Sequence, residues 1–270
     1  MGRIVVVSVA ALAAWSALAV GRAAALPGPT PAVGAAMRGD VEFFDDLALA
    51  HEPEVVMEYL NKEEPDHGLN ALAAAVAVNQ EAAARKILSL GGDAEAEDHD
   101  GHTPINRAAN MGRVNMVKLL REHGVDVSKA ARDGFTPLHR ATWGQTEAHS
   151  DVVRYLVQDC RVSVDQLDAT GVTAAFRAVD RENLVMLNLL LELGANPDFT
   201  SKRGDSLLAL AIRKQNVEAV EVLLKANADV TREDSKGRNL RKLAKQLRSK
   251  KVLELISNAY AAATRSASEL

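Results

Sequence analysis

The residues best equipped for chemistry sit together in Asp98-His99-Asp100-Gly101-His102, two carboxylates and two imidazoles around one glycine. Such a set offers the oxygen and nitrogen donors of a metal site. A calcium loop of the usual spacing would need an acidic residue at 96 and a glutamate at 107. The chain has Ala96 and Arg107 there. Zinc is the remaining metal reading, but a solvated turn is the plainer one, so no metal is expected. Cys160 is the sole cysteine, which excludes an intramolecular disulfide and any Cys-rich zinc site. With only Arg161 beside it, Cys160 reads as a free structural thiol rather than a reactive one or an intermolecular disulfide partner. No Ser/His/Asp set, phosphate-cradling loop or nucleotide-binding glycine motif is visible, so neither an enzyme nor a cofactor is expected.

What positions these residues is legible in the composition and then in a period. The 270 residues are 47% hydrophobic and 25% charged, which excludes collagen-like and wholly disordered chains. Aromatics make up only 4% while alanine and leucine abound, favouring close helix packing over a β-sandwich. A net charge of -4 argues against a general nucleic-acid binder. Glycines recur at 68, 101, 134, 171, 204 and 237, with spacings of 33, 33, 37, 33 and 33. A fixed period of this length marks a stacked repeat architecture.

Within each period the local pattern is consistent. The glycine suits the positive φ of a tight turn, Thr103 and Thr136 suit helix caps, and Pro104 and Pro137 suit the first helical position. Ala108, Ala109 and Ala141 let a first helix approach its neighbour, and Val114, Val117, Leu119 and Leu120 give a second helix an apolar face. One such unit cannot bury both its faces, so neighbours must complete the core. The motifs Thr103-Pro104-Ile105 and Thr136-Pro137-Leu138-His139, with Leu119-Leu120…Gly124, Leu189-Leu190…Gly194 and Leu223-Leu224…Asn227, resemble ankyrin repeats. The resemblance implies an all-α repeat solenoid: about six stacked helix-turn-helix repeats over 66–259, with β-hairpin fingers. It also assigns His139 to hydrogen bonding within the stack. The last unit, with Arg241 and Lys242 where the pattern wants Leu and His, reads as a terminal cap.

Outside the array, Ile4 to Val20 carries no charge and is followed by Ala23-Ala24-Ala25. This predicts a secretory signal peptide over 1–25, with an uncleaved anchor as the alternative. The absence of acidic residues before Asp40 also fits a bipartite plastid-type leader. Removing 1–25 deletes Arg3 and Arg22 and moves the net charge from -4 to -6. Residues 26–37 read as a Pro/Ala linker, 38–65 as a pair of capping helices, and 260–270 as a disordered tail.

In ankyrin-like arrays the partner surface is the concave one, formed by finger tips and first helices. Carried over by position, it comprises His99, Asp100, His102, Asn110, Met111, Arg132, Asp133, Phe135 and Trp143. It continues with Asp180, Arg181, Lys202, Arg203, Asp205, Arg213 and Lys214. Phe135 and Trp143 are the anomalies, aromatics where solvated residues belong, beside three extra residues within 144–150 and a fourth expected within 160–165. They read as apolar anchors of an interface, with Arg132, Arg181, Arg203, Arg213 and Lys214 selecting an acidic protein partner. The competing reading is local packing of Trp143 onto the inserted loop. Residues 236–251 hold eight basic groups and no acidic one, and read as a basic amphipathic helix. That segment supports an alternative function on anionic lipid or nucleic acid, although it lacks interleaved aromatics. Membrane contact through 4–20 would require an uncleaved leader.

Overall fold

The computed structural model describes residues 30–268. The expected leader over 1–25 lies outside them. The described residues form fifteen helices, fourteen of them in seven consecutive pairs. The first helices of the pairs are α1 (Pro31–Arg38), α4 (Ala71–Ala77), α6 (Pro104–Asn110), α8 (Pro137–Ala141), α10 (Ala174–Asp180), α12 (Leu207–Lys214) and α14 (Leu240–Gln246). Their partners are α2 (Val41–Ala50), α5 (Glu81–Ser89), α7 (Val114–Glu122), α9 (Glu147–Arg154), α11 (Leu184–Glu192), α13 (Val217–Lys225) and α15 (Lys250–Ser268). One further helix, α3 (Pro53–Asn61), lies between the first two pairs. First helices pack on first helices and second on second, so the chain is an all-α solenoid. Between pairs the fingers carry only isolated antiparallel bridges, such as Leu167 with Thr173, and no strand is present among the described residues.

Every first helix but α6 starts where a short polar side chain satisfies an otherwise free amide; before α6, Thr103 Oγ1 accepts instead from the Asn106 side chain at 3.0 Å. Asn70 accepts from Ala73 N at 2.8 Å, Ser206 from Ala209 N at 3.1 Å and Asn239 from Lys242 N at 2.8 Å. The six finger glycines all take positive φ. At Gly134 (φ +85°) a Cβ would also meet the Ala169 Cβ of the next finger at 2.2 Å, so glycine is required for approach as well as for the turn. Successive fingers are joined through the backbone: His99 N donates to His67 O at 3.1 Å, Arg132 N to Gly101 O at 3.2 Å, and Ala169 N to Gly134 O at 2.9 Å. The core between the two helix rows is continuous, running from Ala32 and Val33 to Val252 and Ile256.

Several boundaries differ from the sequence reading. The expected linker over 26–37 is helical from Pro31, because Thr30 caps α1 and Pro31 opens it. Ala32, Val33, Ala35 and Ala36 are buried, and α1 packs on α4 as a first helix does. The expected capping pair is therefore divided: α2 belongs with α1, and α3 is additional. Of the expected tail, residues 260–268 continue α15 through Ser268, and 269–270 lie outside the described residues. The basic segment 236–251 is not one helix. It is a finger, then α14, then a turn through Arg248 (φ 59°) into α15.

The third finger repeat also departs. Arg161 (φ 60°) takes the helix-ending place of Gly124 (φ 86°), and both stand ten residues before the next finger glycine. All four extra residues therefore precede Arg161, and the finger expected to hold one, within 160–165, is of ordinary length. One residue is absorbed by the wide π-helical turn Tyr155–Asp159 that continues α9.

Placing a carboxylate in the α1–α4 contact tests the first pair. Val33→Asp should cost about 3 kcal/mol or more, read as a lower urea midpoint, because an unpaired charge enters a dry interface. An extended linker at 31–37 would leave the midpoint unchanged.

Candidate functional site

The finger side of the array is organised by aspartates three residues before finger glycines. Asp98 Oδ1 accepts from Asp100 N and His102 N, both at 2.9 Å, and its other oxygen binds Arg107. Asp168 repeats the pattern, accepting from Thr170 N at 2.8 Å and Val172 N at 3.2 Å while Arg177 donates to it at 2.7 and 2.9 Å. Asp234 does so with Arg238. Each carboxylate thus folds its own turn and holds a guanidinium on the finger side.

The repeats of Gly68, Gly134 and Gly204 lack this aspartate, having Pro65, Ala131 and Ser201 there, and that of Gly134 alone among them keeps the arginine six residues past the glycine. Its aspartate position is Ala131, so Arg140, the counterpart of Arg107 and Arg177, has no such partner. It binds Asp133 instead, one residue before the glycine. Arg140 is only 2% exposed. The two aromatics complete its shell: its guanidinium carbon lies 4.3 Å from the Trp143 ring centre and 5.1 Å from that of Phe135. The rings meet edge to face at 5.5 Å and 75°. Arg177 lies 4.9 Å from the Phe135 ring, and Arg181 lies 4.1 Å from the Trp143 ring. Three guanidiniums on two rings form a cation–aromatic stack, each contact worth roughly 0.5–2 kcal/mol depending on desolvation. His102 lies between two of the finger carboxylates, with Nδ1 3.8 Å from Asp98 and Nε2 3.6 Å from Asp133.

Burial penalises the charge on Arg140 and pushes its pKa down, against the pull of Asp133. The anionic partners move the other way in net effect. Burial raises the carboxyls of Asp98 and Asp168, but hydrogen bonds from their turns and the adjacent arginines outweigh it and hold both below the ordinary range. Asp205 and Asp234 follow the same balance with Arg213 and Arg238.

The sequence-derived surface is divided by these contacts. Phe135 and Trp143 are half-buried rather than free, since their faces carry arginines. Trp143 does pack locally, but against Arg140 and Arg181. The inserted loop is held by His149, whose ring contacts Asn110 O at 3.0 Å, and by Asn183, which donates to Gly144 O at 2.7 Å. Asp205 is 8% exposed and committed to Arg213 and to Ser235 N, so it cannot be presented to a partner. Arg213 is occupied for the same reason, Lys214 pairs with Asp180 at 3.2 Å, and Arg132 reaches Glu97 at 3.8 Å. His99, Asp100, Met111, Lys202 and Arg203 are exposed, while Asn110 is half-buried. Arg181 is exposed and has no carboxylate partner among the described residues. Arg140 and Arg177 were not singled out from the sequence. Their signal is the recurrence of arginine four residues after the caps Thr103, Thr136 and Thr173.

The other chemistry resolves against catalysis by these groups. Donor atoms of Asp98, Asp100 and His102 lie within 4.8 Å of one another. The Asp98 carboxylate is buried and bound on both oxygens by protein donors, so it is poorly suited to a metal. Burial pushes the Cys160 thiol up, with Arg121 opposing, which suppresses the reactive thiolate. His139 is buried between Thr136 Oγ1 at 2.7 Å and Val172 O at 3.1 Å, joining consecutive repeats.

Comparison with known proteins agrees with this architecture. A family model described as ankyrin repeats, in three copies, matches residues 72–166 and 147–234. The chain belongs to the ankyrin-repeat family. It is 30% identical over 108 residues to the NF-kappa-B inhibitor cactus of Drosophila melanogaster, covering 39% of this chain and 21% of that protein. It is 28% identical over 146 residues to NF-kappa-B inhibitor delta of Mus musculus, covering 53% and 39%. A match to the Legionella pneumophila phosphocholine transferase AnkX is 25% identical over 150 residues, 55% of this chain and 15% of that enzyme. The chain thus spans well under half the length of these curated relatives. Among solved structures, the ankyrin repeat domain of Bcl-3 superposes with a TM-score of 0.72 at 22% identity, covering 85% of this chain and 99% of that domain. The human ASB11 domain gives 0.67 at 23%, covering 85% and 97%. These two likenesses concern the fold.

The paired aspartates make stability depend on acid. Their contribution is complete above the unfolded aspartate value of about 4 and is lost as pH falls through the lower folded values. Asp168→Asn should cost about 1–3 kcal/mol at neutral pH and lose less than the native chain on moving to pH ~3. Urea denaturation at the two pH values measures both effects. Equal losses in the two chains would show that Asp168 does not hold the finger through its charge.

Proposed function

We propose that this chain is a non-catalytic protein-interaction module, exported or organelle-targeted through its leader, that binds an acidic partner on its concave finger side. The observation that carries the reading is the stack of Arg140, Trp143 and Arg181. An exposed guanidinium held over an indole, 4.1 Å from its ring centre, has donors left for a carboxylate while its motion is already restricted. The indole excludes water from one side of the Arg181 guanidinium, which strengthens a charge-assisted hydrogen bond made there. Lys202 and Arg203, exposed on the next finger, extend the positive surface. The names of cactus and the delta protein as NF-kappa-B inhibitors support a binding role for this kind of array. The AnkX match covers too little of that enzyme to bring its transferase activity here.

Binding and folding can be separated at this site. Trp143→Ala uncovers the buried Arg140 and should lower the melting temperature as well as affinity. Arg181→Glu changes only the outer guanidinium. Affinity capture with the full chain, followed by mass spectrometry, should recover a prey that Arg181→Glu reduces about tenfold or more while the melting temperature falls by no more than a few degrees, less than in Trp143→Ala. Prey recovery indifferent to Arg181→Glu would overturn the reading.

A further inference from the structure

The C-terminal ends of the first helices meet in one register beside the Arg140–Trp143 stack. The residue eight positions after a helix cap touches the residue seven positions after the cap of the preceding pair. Arg181 lies over Trp143 in this way, and Lys214 reaches Asp180 at 3.2 Å. Followed back through the array, the same two positions bring Val78 to Met37 and Met111 to Ala77, and then place Gly144 beside Asn110. Backbone contacts join the pairs at this row as well. Gln80 donates to Met37 O at 3.4 Å, and the His149 ring contacts Asn110 O at 3.0 Å.

The row changes character along its length. Met37, Val78 and Met111 are 43%, 39% and 37% exposed, so three successive finger-side helices each turn a large apolar side chain to water at this row. Single exposed apolar residues are ordinary on any surface, but an aligned set marks a contact. Methionine suits such a contact, because its unbranched thioether adapts to the shape laid on it. Trp143 follows, half-buried, and the next two pairs supply Arg181 and Lys214, both exposed. Asp180 is the carboxylate of this stretch, and Lys214 already pairs with it. Arg38, beside Met37, lies 3.9 Å from Asp40. The row is therefore apolar at its N-terminal half and cationic at Arg181.

Resting on the proposed finger-side site, we infer that its partner is a bipartite protein segment, apolar where it covers Met37, Val78 and Met111 and acidic where it meets Arg181. The two parts do different work. Carboxylates at Arg181 speed encounter and are screened by salt. Apolar side chains on the methionines add buried area that salt does not weaken, and they fix the direction in which the segment runs along the array. The spacing follows from helix packing. Neighbouring helices pack roughly 10 Å apart, which puts Met111 and Arg181, two pairs apart, about 20 Å from each other. An extended chain crosses that distance in about six residues and the whole row from Met37 in about twelve.

Selection of displayed random peptides of about 16 residues against the full chain tests this. The native chain should enrich peptides with apolar residues in one half and Asp or Glu in the other, the two about six or more positions apart. A synthetic peptide of the enriched sequence then serves as the probe for two variants whose circular dichroism matches the native chain. Met37→Ser/Val78→Ser/Met111→Ser and Arg181→Glu should each weaken its binding about tenfold or more. The serine variant should keep the salt dependence of the native chain, and Arg181→Glu should flatten it. Enrichment of acidic peptides without an apolar part, or of no peptide, would overturn the inference. Where Arg181→Glu still abolishes binding of such acidic peptides, the finger-side site itself stands. Peptides indifferent to both variants would overturn the site together with the inference. Self-association of the native chain that the serine variant abolishes would give the row to a second copy instead.

Discussion

A helix pair of this array has two apolar faces and can cover neither by itself. That constraint generates the rest of the molecule. It fixes the period, because each pair must present the same faces at the same register to its neighbours. Alanines recur in the first helices so that their axes can come close, and glycine occupies finger turns where a Cβ would strike the next finger. The last pair follows from it as well, since it turns Arg241, Lys242 and Lys245 to solvent where earlier pairs bury mostly apolar side chains.

Within that frame the fingers are held by ionic groups rather than by a sheet. Asp98, Asp168 and Asp234 each gather the amides of a turn and an arginine, which makes the finger side a ladder of matched charges. Ala131 stands, like Pro65 and Ser201, where other fingers place the aspartate, but only its repeat keeps an arginine, Arg140, six residues past the glycine, and that explains the chain's two most unusual surface residues. Arg140 remains in place with its ordinary partner gone. Asp133, Phe135 and Trp143 substitute for that partner, one supplying charge and two supplying polarisable faces. A buried cation in such a shell is costly to disturb, and the same shell positions Arg181 at the surface. The structural role of the aromatics and their proposed binding role are therefore one arrangement viewed from its two sides.

Regular features were readable from the sequence because they are local: caps, turn glycines and the apolar spacing of α7 or α11. The α1 helix was not, since Pro27, Pro29 and Pro31 suggest an extended segment, and only burial of Val33 against α4 distinguishes a helix start from a linker. Residues 236–251 have helical spacing throughout, yet Arg248 turns the chain, because the last repeat keeps the register of those before it. At the site, Phe135 and Trp143 stood out by type, but their environment depends on Arg140, Arg177 and Arg181, which lie up to 46 positions away in sequence. Arginine normally reads as solvated, so a buried one is legible only through contacts between repeats. Asp205 was misplaced for a related reason: its finger position suits exposure, but Arg213 and Ser235 draw it inward.

The central claim is that the finger side, around the Arg140–Trp143–Arg181 stack, is where a protein partner sits. Site-specific photocrosslinking addresses it even while that partner is unidentified. A photoreactive residue placed at exposed Lys214, beside the stack, is compared with one at exposed Asn188 on the second-helix row. The account predicts a discrete crosslinked species from position 214, lost with Arg181→Glu, and none from position 188. A species from position 188 alone would place the partner on the opposite side of the solenoid and contradict the account.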